Sequence, residues 1–163
     1  LYECNKIIKN DNELKRIIEL INNLGLSIAF TNGCFDLLHR GHTKYLDESR
    51  KAADILFIGV NNDTSVKKLK GNKRPINNIK DRMEMLRRAT LDEAFIVEFS
   101  EQTPIKLIKK IKPDILIKGG DYKENEIIGS DFIKKNKGKV KIIPFVKGFS
   151  SSNIIKKIVK SFD

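Results

Sequence analysis

Apolar positions along this chain switch between the spacing of helices and that of strands. After Asn10 and Asp11, the residues Leu14, Ile17, Ile18, Ile21 and Leu24 recur along one helix face, and Gly25 supplies the stop. Leu26 to Thr31 reads as a strand, broken by the turn Asn32-Gly33-Cys34-Phe35-Asp36, and Gly41 to Ala53 reads as a helix. Asp54 to Asn61 carries the continuous run Ile55-Leu56-Phe57-Ile58-Gly59-Val60, the pattern of a strand buried on both faces of a parallel sheet. The spacing then predicts a short helix over Asp63 to Leu69, a polar loop from Lys70 to Pro75 and a helix from about Asn78 to Ala89. Ala94 to Phe99 is a strand, and Thr103 as N-cap with Pro104 in the first turn opens the next helix. Asp114 to Lys118 and Lys139 to Phe145 complete the strands, and Ser151 or Ser152 caps a terminal helix ending near Lys160.

Five strands separated by helices predict an α/β fold: a doubly wound, Rossmann-like, five-stranded and mostly parallel sheet with helices on both faces, joined by right-handed crossovers. Residues 1–25 form an N-terminal helical segment and residues 26–163 the main domain, a single domain overall. The first residue is Leu1, which suggests a processed product or the C-terminal part of a longer chain. In such sheets ligands bind at the carboxyl ends of the strands. Here those ends are Asn32 to His42, Asn61 to Asp63, Gly119 to Tyr122 and Gly148 to Ser152, where the polar and glycine-rich residues gather.

Composition narrows the chemistry. The 163 residues are enough to bury a core, and no apolar run approaches the roughly 18 residues of a membrane span. Two cysteines, Cys4 and Cys34, are too few and too far apart for a disulfide framework or a metal knuckle, and no signal peptide opens the chain, which favours a reducing cytoplasm. A formal net charge of +11 calls for an anionic partner. The lysines are dispersed and Trp is absent, so no stacking platform for nucleic acid is evident and a small phosphorylated substrate fits better.

Both histidines of the chain fall in His39-Arg40-Gly41-His42, where the first strand turns into a helix. A helix N-terminus offers unpaired N–H groups and a partial positive charge to phosphate, and imidazoles there add directed donors. A structural role, as a cap or a buried hydrogen-bonder, is the competing reading. Cys34, between Gly33 and Phe35, reads as a small buried residue rather than a nucleophile, and a ligand set for zinc is lacking. No Gly-x-Gly-x-x-Gly, P-loop or Gly-x-Ser-x-Gly motif occurs.

The segment from Thr31 to His42, Thr-Asn-Gly-Cys-Phe-Asp-Leu-Leu-His-Arg-Gly-His, resembles the signature of nucleotidyltransferases with a His-x-Gly-His motif, in their cytidylyltransferase-like branch. Further along, Val60 to Asp63, Lys70 to Asn77, Asp81-Arg82-Met83, Ile117 to Tyr122 and Gly148 to Ile155 resemble, in order, the adenylyltransferase domain of bifunctional heptose-phosphate kinase/adenylyltransferases. This resemblance implies transfer of AMP from ATP to D-glycero-β-D-manno-heptose 1-phosphate, giving ADP-heptose, a lipopolysaccharide-core precursor, and pyrophosphate. It implies His39, His42 and Lys44 as catalytic residues. Asn32, Gly33, Cys34, Phe35, Asp36, Lys118, Gly120, Asp121, Ser150, Ser151 and Ser152 would bind the nucleotide, and Lys70, Lys73, Arg74 and Arg82 the substrate phosphate.

Plainer roles stand beside these. Asp121 could stabilise its Gly-Gly turn, Arg82 could pair at the surface with Asp81 or Glu84, and the loop lysines could simply be solvated. Mg²⁺ is expected with ATP, with no metal site in the protein itself. The partners implied are ATP and a sugar 1-phosphate, without nucleic acid or membrane, leaving room for a homo-oligomer and for a heptose kinase domain, fused or separate. A cytidylyltransferase for glycerol 3-phosphate or an FAD synthetase is the alternative, and Phe145, standing where glycerol-phosphate cytidylyltransferases carry arginine, weighs against the first.

Overall fold

The computed structural model describes residues 6–91, 93–146 and 148–162. Cys4 lies outside them. The elements, in chain order, are β1 (Ile7–Ile8), α1 (Asp11–Asn23), β2 (Ile28–Gly33), α2 (Arg40–Arg50), β3 (Ile55–Asn61), α3 (Asp63–Lys70), α4 (Ile79–Ala89), β4 (Ala94–Phe99), α5 (Ile105–Ile111), β5 (Ile115–Gly119), α6 (Ser130–Lys135), β6 (Lys139–Ile143) and α7 (Ser151–Phe162). A 3₁₀ turn, Glu124–Glu126, precedes α6.

Among the described residues all ladders are parallel, in the order β1-β4-β3-β2-β5-β6. The five expected strands are present, and β1 is a sixth, two residues long and too short to leave a periodic signal. Chain order reverses between β2 and β5, so the crevice that a doubly wound sheet offers to ligands opens above their carboxyl ends. Two hydrophobic clusters cover the sheet. One includes Phe30, Phe57, Phe95, Leu107 and Ile108 together with Ile8, Leu14 and Ile21 of the first 25 residues; the other includes Leu46, Leu56, Ile58, Leu86 and Ile96. Among the described residues no helix is long and apolar enough to cross a membrane.

Several boundaries differ from the sequence reading for local reasons. Asn10, Asn62 and Asn78 cap α1, α3 and α4, each side-chain oxygen accepting an N–H three residues on. Helix α5 starts after Pro104, whose carbonyl accepts the Ile108 N–H at 2.9 Å, so Thr103 is not its cap. Strand β6 ends at Ile143, two residues before Phe145. At α7 it is Ser150, rather than Ser151 or Ser152, whose hydroxyl accepts an N–H of the first turn, that of Asn153 at 3.0 Å. None of the residues of α7 is buried; its apolar stripe ends in Ile158, Val159 and Phe162, all exposed.

Candidate active site

The loop from β2 to α2 is built on a carboxylate. Asp36, 2% exposed, accepts the N–H groups of Ile76 and Asn77 at 2.8 and 2.9 Å and the Arg74 Nε at 2.5 Å, while its own carbonyl accepts Asn77 Nδ2 at 2.8 Å. Burial alone would raise its pKa, but the Asn77 and Ile76 amides and the Arg74 guanidinium together hold it below the usual carboxylate range. Asp36 is thus enclosed by loop 74–77 and fixes that loop against the β2–α2 turn.

Arg82 does the same from below. It is 0% exposed and donates to the carbonyls of Cys34 and Asn77 at 2.5 and 3.0 Å and to Asp63 Oδ1 at 2.8 Å. The expected surface pairing with Asp81 or Glu84 is replaced by this buried fork, and the guanidinium holds the floor of the site rather than an open surface where substrate phosphate would meet it. Asn77, which sequence reasoning passed over, is the hub: it contacts Asp36 through two donors and Arg82 through its carbonyl.

His39 is the N-cap residue of α2, with extended backbone and no side-chain capping bond, and His42 lies in the first turn. Their rings stack at 3.8 Å with planes 25° apart, and Nδ1 of each is buried without a partner among the described residues. Burial pushes both imidazoles down, His42 to about 4 with the neighbouring His39 as a second cause, so both are neutral near pH 7. The Phe35 ring leans on His42 at 5.4 Å, and Phe35 itself is buried with φ 47, a left-handed backbone rare for a bulky residue and a mark of a constrained turn. A Cβ at Gly41 would sit 3.0 Å from the His39 ring and 3.2 Å from Phe149 Cβ, so glycine here admits the histidine and the α7 approach rather than leaving open space.

The other walls come from β5 and α7. Lys118 Nζ reaches Asn32 Oδ1 at 3.3 Å across the strand reversal, its ammonium pushed down by burial. Both line a pocket of about 180 Å³ with Pro104, Leu116, Tyr122 and Ile127. Gly120, at φ 131, lies under the Tyr122 and Phe145 rings, whose outer surfaces are exposed. Ser151 Oγ donates to the Leu37 carbonyl at 2.9 Å and pins the start of α7 to the β2–α2 loop.

The sequence-based candidates therefore separate by position. Asn32 and Gly33 end β2, and the half-buried Cys34 follows. Burial pushes its thiol up, against the pull of Lys70 and Arg82, which fits a packing residue. His39, His42, Asn32, Lys118, Gly120, Ser150 and Ser151 belong to elements that meet at the β2/β5 crevice. Lys44, Lys70, Lys73, Asp121 and Ser152 are exposed, and Arg74 is spent largely on Asp36. Tyr45 was missed: its hydroxyl lies 2.5 Å from Thr31 Oγ1, and burial pushes its phenol up to about 12, so it remains an O–H. Its place three residues after His42 on an apolar helix face gave no signal beyond packing.

Known proteins match this arrangement over most of its length. The chain is 48% identical over 155 residues to the bifunctional protein HldE of Aliarcobacter butzleri (strain RM4018), an alignment covering 94% of this chain and 31% of that protein. It is 46% identical over 148 residues to the protein of the same name from Helicobacter pylori (strain Shi470), covering 91% and 31% respectively. The chain thus spans about a third of the length of these curated relatives. The crystal structure of the lipopolysaccharide core biosynthesis protein from Thermoplasma volcanium GSS1 superposes with a TM-score of 0.59 at 30% identity, over 77% of this chain and all of that one. The family described as cytidylyltransferase-like matches residues 30–157, from β2 through both histidines to α7, and the chain belongs to that family.

Proposed function

We propose that the protein is a D-glycero-β-D-manno-heptose 1-phosphate adenylyltransferase, joining AMP from ATP to the sugar phosphate with release of pyrophosphate. The observation that carries this reading is the stacked, neutral pair His39 and His42 at the head of α2, beside the crevice where β2 and β5 part. The pattern of residues resembling the heptose enzymes, and relatives named bifunctional or lipopolysaccharide core biosynthesis proteins, support the sugar phosphate as acceptor.

The chemistry needs no protein nucleophile. A sugar 1-phosphate is mostly a dianion at neutral pH, because the second pKa of a phosphate monoester is about 6. Its oxygen attacks the α-phosphorus of ATP in line, a new P–O bond forms, and the bond to the bridging oxygen of pyrophosphate breaks. The enzyme's work is to hold two polyanions together and to stabilise charge growing on the α-phosphate and the leaving group. Neutral imidazoles at His39 and His42 donate hydrogen bonds to those oxygens, and the free N–H groups of the α2 and α7 N-termini add to them. Lys118 meets phosphate at the pocket mouth, with Lys70 at the end of α3 and Lys73 in the loop that follows it as further cations for the phosphates. Lys44, exposed on α2, can approach the outer phosphates.

Mg²⁺ would enter on the oxygens of ATP and, when bound, neutralise charge on the triphosphate. The use of ATP fits a cytoplasmic enzyme, and a kinase supplying the sugar 1-phosphate is its natural partner.

The test is pyrophosphate release with ATP and CTP, each crossed against heptose 1-phosphate, glycerol 3-phosphate and FMN, with and without excess chelator. Turnover with ATP and heptose 1-phosphate, abolished by chelator, is expected. A preference for CTP with glycerol 3-phosphate, or for FMN as acceptor, would overturn the heptose assignment.

A further inference from the structure

The strands that frame the crevice part early. Strand β2 pairs with β3 as far as Gly33, and β5 with β6 as far as Gly119, yet β2 and β5 pair with each other only at Ala29↔Ile115 and Phe30↔Leu116. Continued in the same register, Thr31 would face Ile117 and Asn32 would face Lys118.

Side chains connect both of those levels. At the first, the Tyr45 hydroxyl stands between the strands, 2.5 Å from Thr31 Oγ1 and 3.4 Å from the Ile117 carbonyl. If Tyr45 donates to that carbonyl, Thr31 donates to Tyr45, and one proton serves each bond. At the second level, Lys118 Nζ donates to Asn32 Oδ1. Thr31 and Ile117 are both 0% exposed, so water does not compete at the Tyr45 bridge. The Tyr45 ring fits because β5 ends in glycine: a Cβ on Gly119 would meet it at 3.1 Å.

We infer that Tyr45 is a positioning residue, its hydroxyl taking over the β2–β5 connection where the backbone ladder stops and thereby tying α2, with His42 one turn earlier, to the strand that carries Lys118. The width of the crevice and the distance from imidazole to ammonium are then set by one buried hydroxyl. This role in turnover rests on the nucleotidyl-transfer reading, whereas the bridge itself does not.

The experiment compares Tyr45→Phe with the double variant Tyr45→Phe/Thr31→Val, which removes both hydroxyls, so that only the Ile117 carbonyl, whose bond to Tyr45 is the longer one at 3.4 Å, loses a partner. The single variant loses stability and activity together. In the double variant the urea midpoint recovers in part while kcat stays about 10- to 100-fold below wild type, with KM for ATP within about threefold, as expected for misplaced groups rather than lost binding. Hydrogen exchange supplies a readout independent of turnover: in the double variant the amides of residues 118–120 exchange faster, while those of β3 and β4 do not change. Unchanged exchange at 118–120, or kcat returning to wild type together with the midpoint, overturns the inference. A wild-type protein that releases no pyrophosphate with any substrate pair would instead defeat the functional reading, and exchange would still decide the bridge.

Discussion

His39 and His42 lie face to face with ring centroids 3.8 Å apart, and neither Nδ1 has a hydrogen-bond partner among the described residues. Burial and the adjacent ring keep both imidazoles neutral near pH 7 in the free protein, and a neutral imidazole still offers one N–H to a phosphate oxygen. Replacing either histidine with Ala lowers kcat by about 10²–10³, the scale of one lost preorganised donor, with little change in urea midpoint. Steady-state rates and midpoints on the same variants check this; near wild-type kcat would refute it.

The depressed His42 value also predicts a pH effect on stability. The unfolded imidazole, with an ordinary value of 6.5, takes up a proton at higher pH than the folded one at about 4. The unfolded state therefore binds more protons between those values, and stability present above pH 6.5 is lost as pH falls toward 4. His42→Asn removes that part of the slope. Urea titrations from pH 7 to 4 that show parallel slopes for the two proteins would contradict it.

Gly41 lies beneath the His39 ring. Gly41→Ala adds a helix-favouring residue, worth up to about 1 kcal/mol in α2, but forces the imidazole or Phe149 aside. The expected outcome is a melting temperature that holds or rises while kcat falls several-fold. A loss of stability without loss of rate would show that the histidine does not depend on this contact.

Arg82 and Asp36 hold two sides of one loop. Arg82→Lys cannot reach the carbonyls of Cys34 and Asn77 and the Asp63 carboxylate with one ammonium, and Asp36→Ala leaves Arg74 and two amides without their acceptor. Each is expected to cost about 3 kcal/mol or more, the range for breaking a buried charged pair, measured by urea unfolding. Asp36 adds an acid limb: its folded value is lowered, so its contribution is present above its ordinary 3.8 and is lost as pH falls through the folded value.

How far these features could be read in the sequence depends on how local their causes are. Asn10, Asn62 and Asn78 cap their helices through bonds three residues long, and β3 announces itself by the continuous apolar run Ile55 to Val60. The histidine pair was legible because it sits in one turn. Arg82 was not, since its acceptors come from residues 34, 63 and 77, and on a helix with buried Met83 and Leu86 an arginine reads as part of the polar face. Asp36 likewise depends on partners some 40 residues away. Tyr45 acts between two strands whose separation only the assembled sheet creates.

Strand β1 contributes only Ile7 and Ile8, yet it lies along the open side of β4, with the Lys6 carbonyl accepting the Ile96 N–H at 2.8 Å. Hydrogen-bonding groups along an uncovered strand edge are a template for a strand from another molecule. The opposite margin, β6, differs in carrying the exposed Lys139, whose charge resists such pairing. A chain cut back past residue 10 would bare the β4 margin without supplying charges in its place, and it should aggregate edge to edge more readily than the intact protein. Two isoleucines thus act as a guard against self-assembly, a duty unrelated to catalysis.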